Sequence, residues 1–214
     1  MRESAHKPMA NQAYEFLRQK IISCEYLPGQ ELNEKQLLEI TNFGRTPLRE
    51  ALLSLQKEGL VEIFPRKGMR ISPFTEKQVK DLYQTRKLIE PIVIQEYRSL
   101  YSKVTLLEFQ KRFQTSRDLP NMERFALDSE FHSYLISITE NDILIDMYRS
   151  LMVHQIHLAM YTAIQSTDVP MDDLNQHLSI INALLRENEK DIRDAVILHI
   201  NFSLIRSMSM FGSD

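Results

Sequence analysis

The sequence predicts a mainly α-helical chain in two parts, on three observations. Residues 42–52 read NFGRTPLREAL, with two arginines at the mouth of an apolar-periodic helix that follows two shorter helical stretches. Directly after it, LVEIF and MRIS alternate apolar and polar residues around PRKG, the pattern of a two-stranded hairpin. From Thr75 onward nearly every stretch carries helical period and none alternates convincingly as a strand. The expected architecture is three helices and a hairpin over residues 1–74, then a bundle of six helices over residues 75–214.

The first helix carries Ala13, Phe16, Leu17, Ile21 and Cys24 at helical spacing and stops at Leu27-Pro28-Gly29. Asn33, with Gln36 three residues on, has the form of a capping box for a short second helix bearing Leu37, Leu38 and Ile40. Asn42-Phe43-Gly44 then makes a turn. In the third helix Pro47 suits the first helical position, where its missing N–H costs nothing, and Thr46 before it is placed to cap the free donors. Leu48, Leu52 and Leu55 form the buried face, Arg49 lies off that stripe with Arg45 one turn earlier, and Gly59 closes the helix as a left-handed cap.

Three helices with a short turn before the last form a helix-turn-helix, and the hairpin adds a wing. Stability alone would put Asp or Glu at a helix N-terminus, where the free N–H groups and the dipole are already positive. Arg45 and Arg49 there suit phosphate or a guanine edge instead. Taken singly, those arginines also fit a solvated helix start paired with Glu50, and the wing cations a solvated turn. The conjunction of an arginine-bearing helix with Arg66, Lys67 and Arg70 around Gly68 favours double-stranded DNA, because a glycine there lets the hairpin approach a nucleic-acid backbone closely.

Composition agrees. With 43% hydrophobic and 26% charged residues, the 214-residue chain is long enough for one large or two modest cores. A net charge of −3 excludes a uniformly basic coat, but the first 74 residues lean basic and the rest acidic, so attraction to nucleic acid is expected from a local N-terminal patch. The lone Cys24 excludes an internal disulfide framework and a cysteine-rich zinc cluster. No apolar run approaches the ~18 residues that a membrane helix needs, and a cytoplasmic location is expected.

The order PGQELNE, GRTPLREAL and the Gly68 wing is similar to the winged helix-turn-helix of GntR-type bacterial transcription regulators, over roughly residues 10 to 73. The family usually has a small polar residue where this chain has Gly44 and an aliphatic one at Phe43. The resemblance implies that Arg45, Thr46 and Arg49 touch operator DNA and that Gly68 sits at the wing tip over the minor groove, beside Arg66 and Lys67.

In the second part, a long helix is expected from about Glu76 to Leu100, with Val79, Leu82, Tyr83, Leu88 and Ile89 inward and a kink at Pro91. Helices follow near 104–117, 121–140, 142–165, 171–187 and 189–210, broken at Asp118-Leu119-Pro120, Glu140-Asn141, Val169-Pro170 and Glu187-Asn188. Asp128 and His132, four residues apart, share a face with Phe125, Phe131, Leu135 and Ile138. His177 lies on the face of Leu174, Leu178, Ile181 and Leu185, and His199 on that of Ile192, Val196 and Ile200. One inward histidine is ordinarily a satisfied core residue. A carboxylate and three imidazoles buried together would lose their hydration, and a divalent ion, zinc or nickel, removes that problem while leaving coordination positions open. His154 and His157, three residues apart on one helix, read as partly exposed or satisfied in the core rather than as members of that set.

This part resembles the all-helical FCD-type effector domain of the FadR branch of GntR regulators, and six helices rather than seven are closer to the VanR-type subgroup. In that branch an Asp and three His typically hold a metal, which implies Asp128, His132, His177 and His199. Arg86 pairs by spacing with Glu90. The resemblance also implies that Arg86 reaches the cavity, where a guanidinium clamp suits a carboxylate, with Asn201 as a candidate for the wall. The whole implies a homodimeric, metabolite-responsive regulator, a repressor more commonly than an activator, that binds a palindromic operator, with effector binding biasing the two parts through the segment from Ile71 to Glu76. Two other readings stay open on the residues alone: a metal-dependent enzyme with an N-terminal targeting domain, and a constitutive DNA-binding protein with a structural metal.

Overall fold

The computed structural model describes residues 8–165 and 173–212, and the chain divides between Phe74 and Thr75 into two compact units. In the N-terminal unit, α1 (Met9–Ile22) buries Ala13, Leu17 and Ile21. It stops earlier than its apolar spacing suggests, because Cys24 turns into the left-handed region (φ 57°) and is buried from outside the helix. α2 (Glu34–Thr41) starts where the Asn33 side chain accepts a hydrogen bond from the Gln36 amide at 3.0 Å and ends at Asn42, itself left-handed.

α3 (Arg45–Lys57) begins at Arg45, with Gly44 as a cap that contributes no side-chain hydrogen bond. The expectation that Thr46 caps and Pro47 opens the helix is corrected: the Leu48 amide already bonds the Gly44 carbonyl at 3.1 Å. Pro47 tolerates a place deeper in the first turn because no amide there has an intrahelical partner to lose. Gly59 (φ 73°) closes α3 as expected.

The hairpin comprises β2 (Val61–Phe64) and β3 (Gly68–Ile71), paired antiparallel from Val61↔Ile71 to Phe64↔Gly68. A further strand, β1 (Glu31–Leu32), pairs with β3 on its other edge, giving the order β1-β3-β2. Two residues are too few to show alternation in a sequence. Leu37, Leu48, Leu52, Leu55, Leu60, Val61 and Ile71 complete the core of this unit.

In the C-terminal unit, α4 (Glu76–Glu96) opens with a reciprocal capping box between Thr75 and Gln78, continues through Pro91, and gives way to a 3-10 turn at Arg98–Leu100. Its buried stripe is Val79, Tyr83, Arg86, Glu90 and Ile94, whereas Leu88, expected inward, is 63% exposed. Two charged residues occupy places that an apolar count assigns to leucine. The remaining helices are α5 (Lys103–Thr115), α6 (Asn121–Ser137), α7 (Asp142–Gln165), α8 (Asp173–Arg186) and α9 (Glu189–Met208). The expected break at Val169-Pro170 lies outside the described residues. Helix α9 packs along α4 and α8, α8 also meets α5, and α6 packs along α7 and touches α4. Three of these helices therefore bring one inward face each to the same interior. No helix among the described residues is long and apolar enough to cross a membrane.

Candidate metal centre and nucleic-acid interface

α6 delivers Asp128 and His132, α8 delivers His177 and α9 delivers His199 to one point. Asp128 Oδ1 lies 2.7 Å from His177 Nε2, 3.8 Å from His132 Nε2 and 4.0 Å from His199 Nε2, and the last two nitrogens are 3.0 Å apart. All four donor atoms fall within 4.8 Å of one another. Bonds of about 2.1 Å to a common ion space neighbouring ligands by roughly 3 Å and opposite ones by about 4 Å, so the set can hold a metal ion. The three rings are buried, while the Asp128 side chain keeps 18% of its surface exposed. Phe113 stacks on His177 at 4.4 Å between centroids, which fixes the plane of that ring.

Behind the cluster α4 places an ion pair with no solvent contact. The Arg86 guanidinium bonds Glu90 through Nε, while Nη2 lies 3.3 Å from His132 Nε2 and 3.5 Å from His199 Nε2. Glu90 Oε2 in turn lies 2.9 Å from His132 Nδ1, and Tyr148 donates to Glu90 Oε1 at 2.7 Å. Arg86 Nη1 is buried without a hydrogen-bond partner among the described residues.

Burial by itself would raise the Glu90 and Asp128 carboxyls. For Glu90 the interactions with Arg86 and His132 together outweigh it, and for Asp128 those with His177, His132 and Arg86 together do, so both are held below the usual carboxylate range. Burial pushes His132 and His199 down, His199 the further because the neighbouring rings and Arg86 add to it. Neutral imidazole is the ligating form.

A cavity of about 90 Å3 opens onto Asp128 and His177, walled by Phe113, Phe125, Arg117 and Arg124. A smaller one, about 20 Å3, reaches Asp128 from the side of Tyr83, Gln155 and Arg206. Arg86 and Asn201 line neither cavity. Asn201 is half-buried, and two residues along a helix turn it about 200° away from His199. His154 and His157, on α7, stand outside the cluster. Sequence reading missed Tyr148, Arg117 and Arg124, and weighed Glu90 only as the partner of Arg86. The i,i+4 spacing of Arg86 and Glu90 opposite an inward His132 was the available signal for Glu90.

In the N-terminal unit Arg45, Thr46 and Arg49 are exposed along the start of α3. Both arginines meet Glu34, the first residue of α2, rather than Glu50. Arg49 Nε lies 3.1 and 3.0 Å from its two oxygens and Arg45 Nε 3.4 Å from one. In the wing Arg66 and Lys67 are exposed at the turn, while Arg70 bonds Glu62 across the hairpin at 2.5 Å and covers Phe64. Gly68 lies after the turn, at the head of β3. With φ at +104° and the Leu32 carbonyl 3.2 Å from where a Cβ would stand, it is required by the packing of β1 against the wing.

A winged helix-turn-helix bearing exposed cations, in one chain with a helical unit that gathers a carboxylate and three imidazoles in its interior, is the construction of a two-domain transcription regulator. The chain belongs to the GntR family: residues 9–71 match the bacterial regulatory proteins of the gntR family and residues 81–202 match the FCD domain. It is a bacterial transcription regulator and not an enzyme. It is 26% identical to the HTH-type transcriptional repressor RspR of Escherichia coli K12, over 91% of this chain and 86% of that protein. To the Nta operon transcriptional regulator of Aminobacter aminovorans it is 29% identical, over 84% and 85%. The fold matches that of Escherichia coli McbR/YncC with a TM-score of 0.79 at 17% identity, over 97% of this chain and all of that one.

Proposed function

We propose that the protein is a metabolite-responsive repressor that binds a palindromic operator as a homodimer and responds to a small carboxylate held beside a divalent metal, zinc or nickel. The observation that carries this reading is the convergence of three imidazole Nε2 atoms within 4.0 Å of one Asp128 oxygen, next to a cavity. The N-terminal unit binds DNA, with Arg45, Thr46 and Arg49 reading the major groove and Arg66, Lys67 and Gly68 forming the wing. The C-terminal unit binds effector and dimerises.

Asp128, His132, His177 and His199 hold the metal, and when bound it supplies a Lewis-acidic position for a ligand carboxylate. Glu90 fixes His132, and Arg86, with a buried Nη1 that lacks an acceptor, adds positive charge on the cluster's inner side. Asn201 is retained as a wall candidate on the grounds of family resemblance. Leu88 and Ile92, one turn apart on α4 and 63% and 66% exposed, supply an apolar stripe for the second copy. Because α4 carries Arg86 and Glu90 and is the first helix after the connection to the N-terminal unit, a change at the cluster bears directly on that connection. The relative named a repressor supports the sign. The cytoplasm is the compartment where operator DNA is available.

The test is a thermal-shift titration of zinc-loaded and chelated protein against small carboxylates and sugar acids, followed by operator binding with and without the active compound. A metal-dependent rise in melting temperature, with release of DNA by the same compound, is the expected result. A ligand response indifferent to chelation would remove the metal from the reading.

A further inference from the structure

The cluster faces a cation on its inner side. Arg86 Nη2 directs its N–H groups at Nε2 of His132 and of His199, 3.3 and 3.5 Å away, and both nitrogens belong to the ligand set. Glu90 beside Nδ1 of His132 favours the proton there, so Nε2 of that ring offers its one lone pair, and a guanidinium can only donate to it. An ion needs the same lone pair. The two Nε2 atoms are 3.0 Å apart. Bonds of about 2.1 Å to both would put an ion within about 1.5 Å of their midpoint, no more than about 4.5 Å from Nη2 as it stands. Arg86 is wholly buried, so water screens little of the repulsion between its guanidinium and a divalent ion at that distance.

We infer that Arg86 competes with the metal for the His132–His199 side of the cluster. Nη2 must leave both nitrogens before an ion can bind them, and the ion is held more weakly than the same four ligands would hold it without the arginine. This rests on the proposal that Asp128 and three histidines hold a divalent metal, and it adds the residue that sets how tightly they do so. Glu90 makes the exchange feasible, because its Oε2 lies 3.3 Å from Nη2 and the guanidinium keeps a carboxylate partner as it yields. The two charged residues of α4, one turn apart, thus act on the ion in opposite senses. Glu90 at Nδ1 favours His132 as a ligand, and Arg86 at Nε2 opposes it.

The experiment is competition for zinc between a chromophoric chelator and the full chain, in two comparisons: Arg86→Gln against the parent, and the double variant Arg86→Gln/Glu90→Gln against Glu90→Gln. Loss of the arginine is expected to tighten zinc binding tenfold or more in each. The double variant leaves neither member of the buried pair charged, so the second comparison stands if Arg86→Gln alone fails to fold. A crystal structure of the zinc-loaded parent reads the same inference without a variant: Nη2 is expected to have turned from both Nε2 atoms while keeping Glu90. Zinc binding unchanged or weakened by loss of the arginine, or Nη2 still 3.3 and 3.5 Å from the two nitrogens beside a bound zinc, overturns the competition and leaves the metal reading standing. Zinc bound by neither the parent nor any variant overturns both.

Discussion

Glu90 Oε2 lies 2.9 Å from Nδ1 of His132, and both side chains are wholly buried. The carboxylate charge beside Nδ1 favours the proton on that nitrogen, although the N–H is not aligned on it for a hydrogen bond, and leaves the Nε2 lone pair facing Asp128 and the other rings. This is the carboxylate–histidine arrangement that orients a metal ligand. Glu90 also neutralises Arg86, so one residue of α4 faces both a ring of the cluster and the cation behind it.

Glu90→Gln is therefore expected to weaken zinc binding by about 10- to 100-fold, measured by competition with a chromophoric chelator. The amide keeps the shape but removes the charge that Arg86 requires, so the metal-free protein should also lose several kcal/mol, roughly 3–5 as for a broken buried pair. Unchanged zinc affinity at reduced stability would show that Glu90 serves Arg86 alone.

Arg49 contacts both oxygens of Glu34 at an exposed site. At the proposed interface DNA takes the place of that carboxylate with phosphate or a base edge, so Glu34 would compete with DNA for Arg49. Arg49→Ala is expected to cost about 1–3 kcal/mol of operator affinity if the residue reads a base. Glu34→Gln should tighten binding to operator and random duplex alike, by no more than about fivefold, since an exposed pair contributes at most about 1 kcal/mol. Fluorescence anisotropy at two salt concentrations reads both. Operator affinity equal to the parent's for Arg49→Ala would remove Arg49 from the interface.

Much of this was legible in the sequence, for identifiable reasons. The cap at Asn33, the turn at Gly59 and the hairpin around PRKG are local, and local chemistry is written in consecutive residues. Asp128 and His132 share a face by spacing, and His177 and His199 each sit among inward aliphatic residues, so their convergence needed only that those faces meet. Three features were hidden because they depend on tertiary partners. Strand β1 exists only as an edge for β3. Leu88 yields the inner stripe to Arg86 and Glu90 because a buried ion pair has partners on α6 and α7. Arg117 lies in a turn whose periodicity says nothing of the cavity it borders.

Gly68→Ala separates two roles for that glycine. If the residue served only to let DNA approach, stability would be unaffected. With φ at +104° and 3.2 Å to the Leu32 carbonyl, an added methyl strains the backbone and presses β1 away from β3. A loss of about 1–3 kcal/mol is expected, seen by calorimetry in the transition of the N-terminal unit.

His157 offers a pH test away from the metal ligands. Burial, with the nearby His154 adding to it, pushes its pKa from 6.5 down to about 4. The folded protein thus holds fewer protons than the unfolded chain between those values, and the contribution of His157 to stability is complete above about pH 6.5 and fades as pH falls toward 4. His132 and His199 act in the same direction, so the parent's slope alone does not isolate His157. The difference between parent and His157→Phe does. As the metal-free proteins are taken from pH 7 to pH 4, the parent should lose up to about 3 kcal/mol more than the variant, measured by denaturant unfolding. Parallel curves would mean that the His157 ring is protonated in the folded protein as readily as in the unfolded chain.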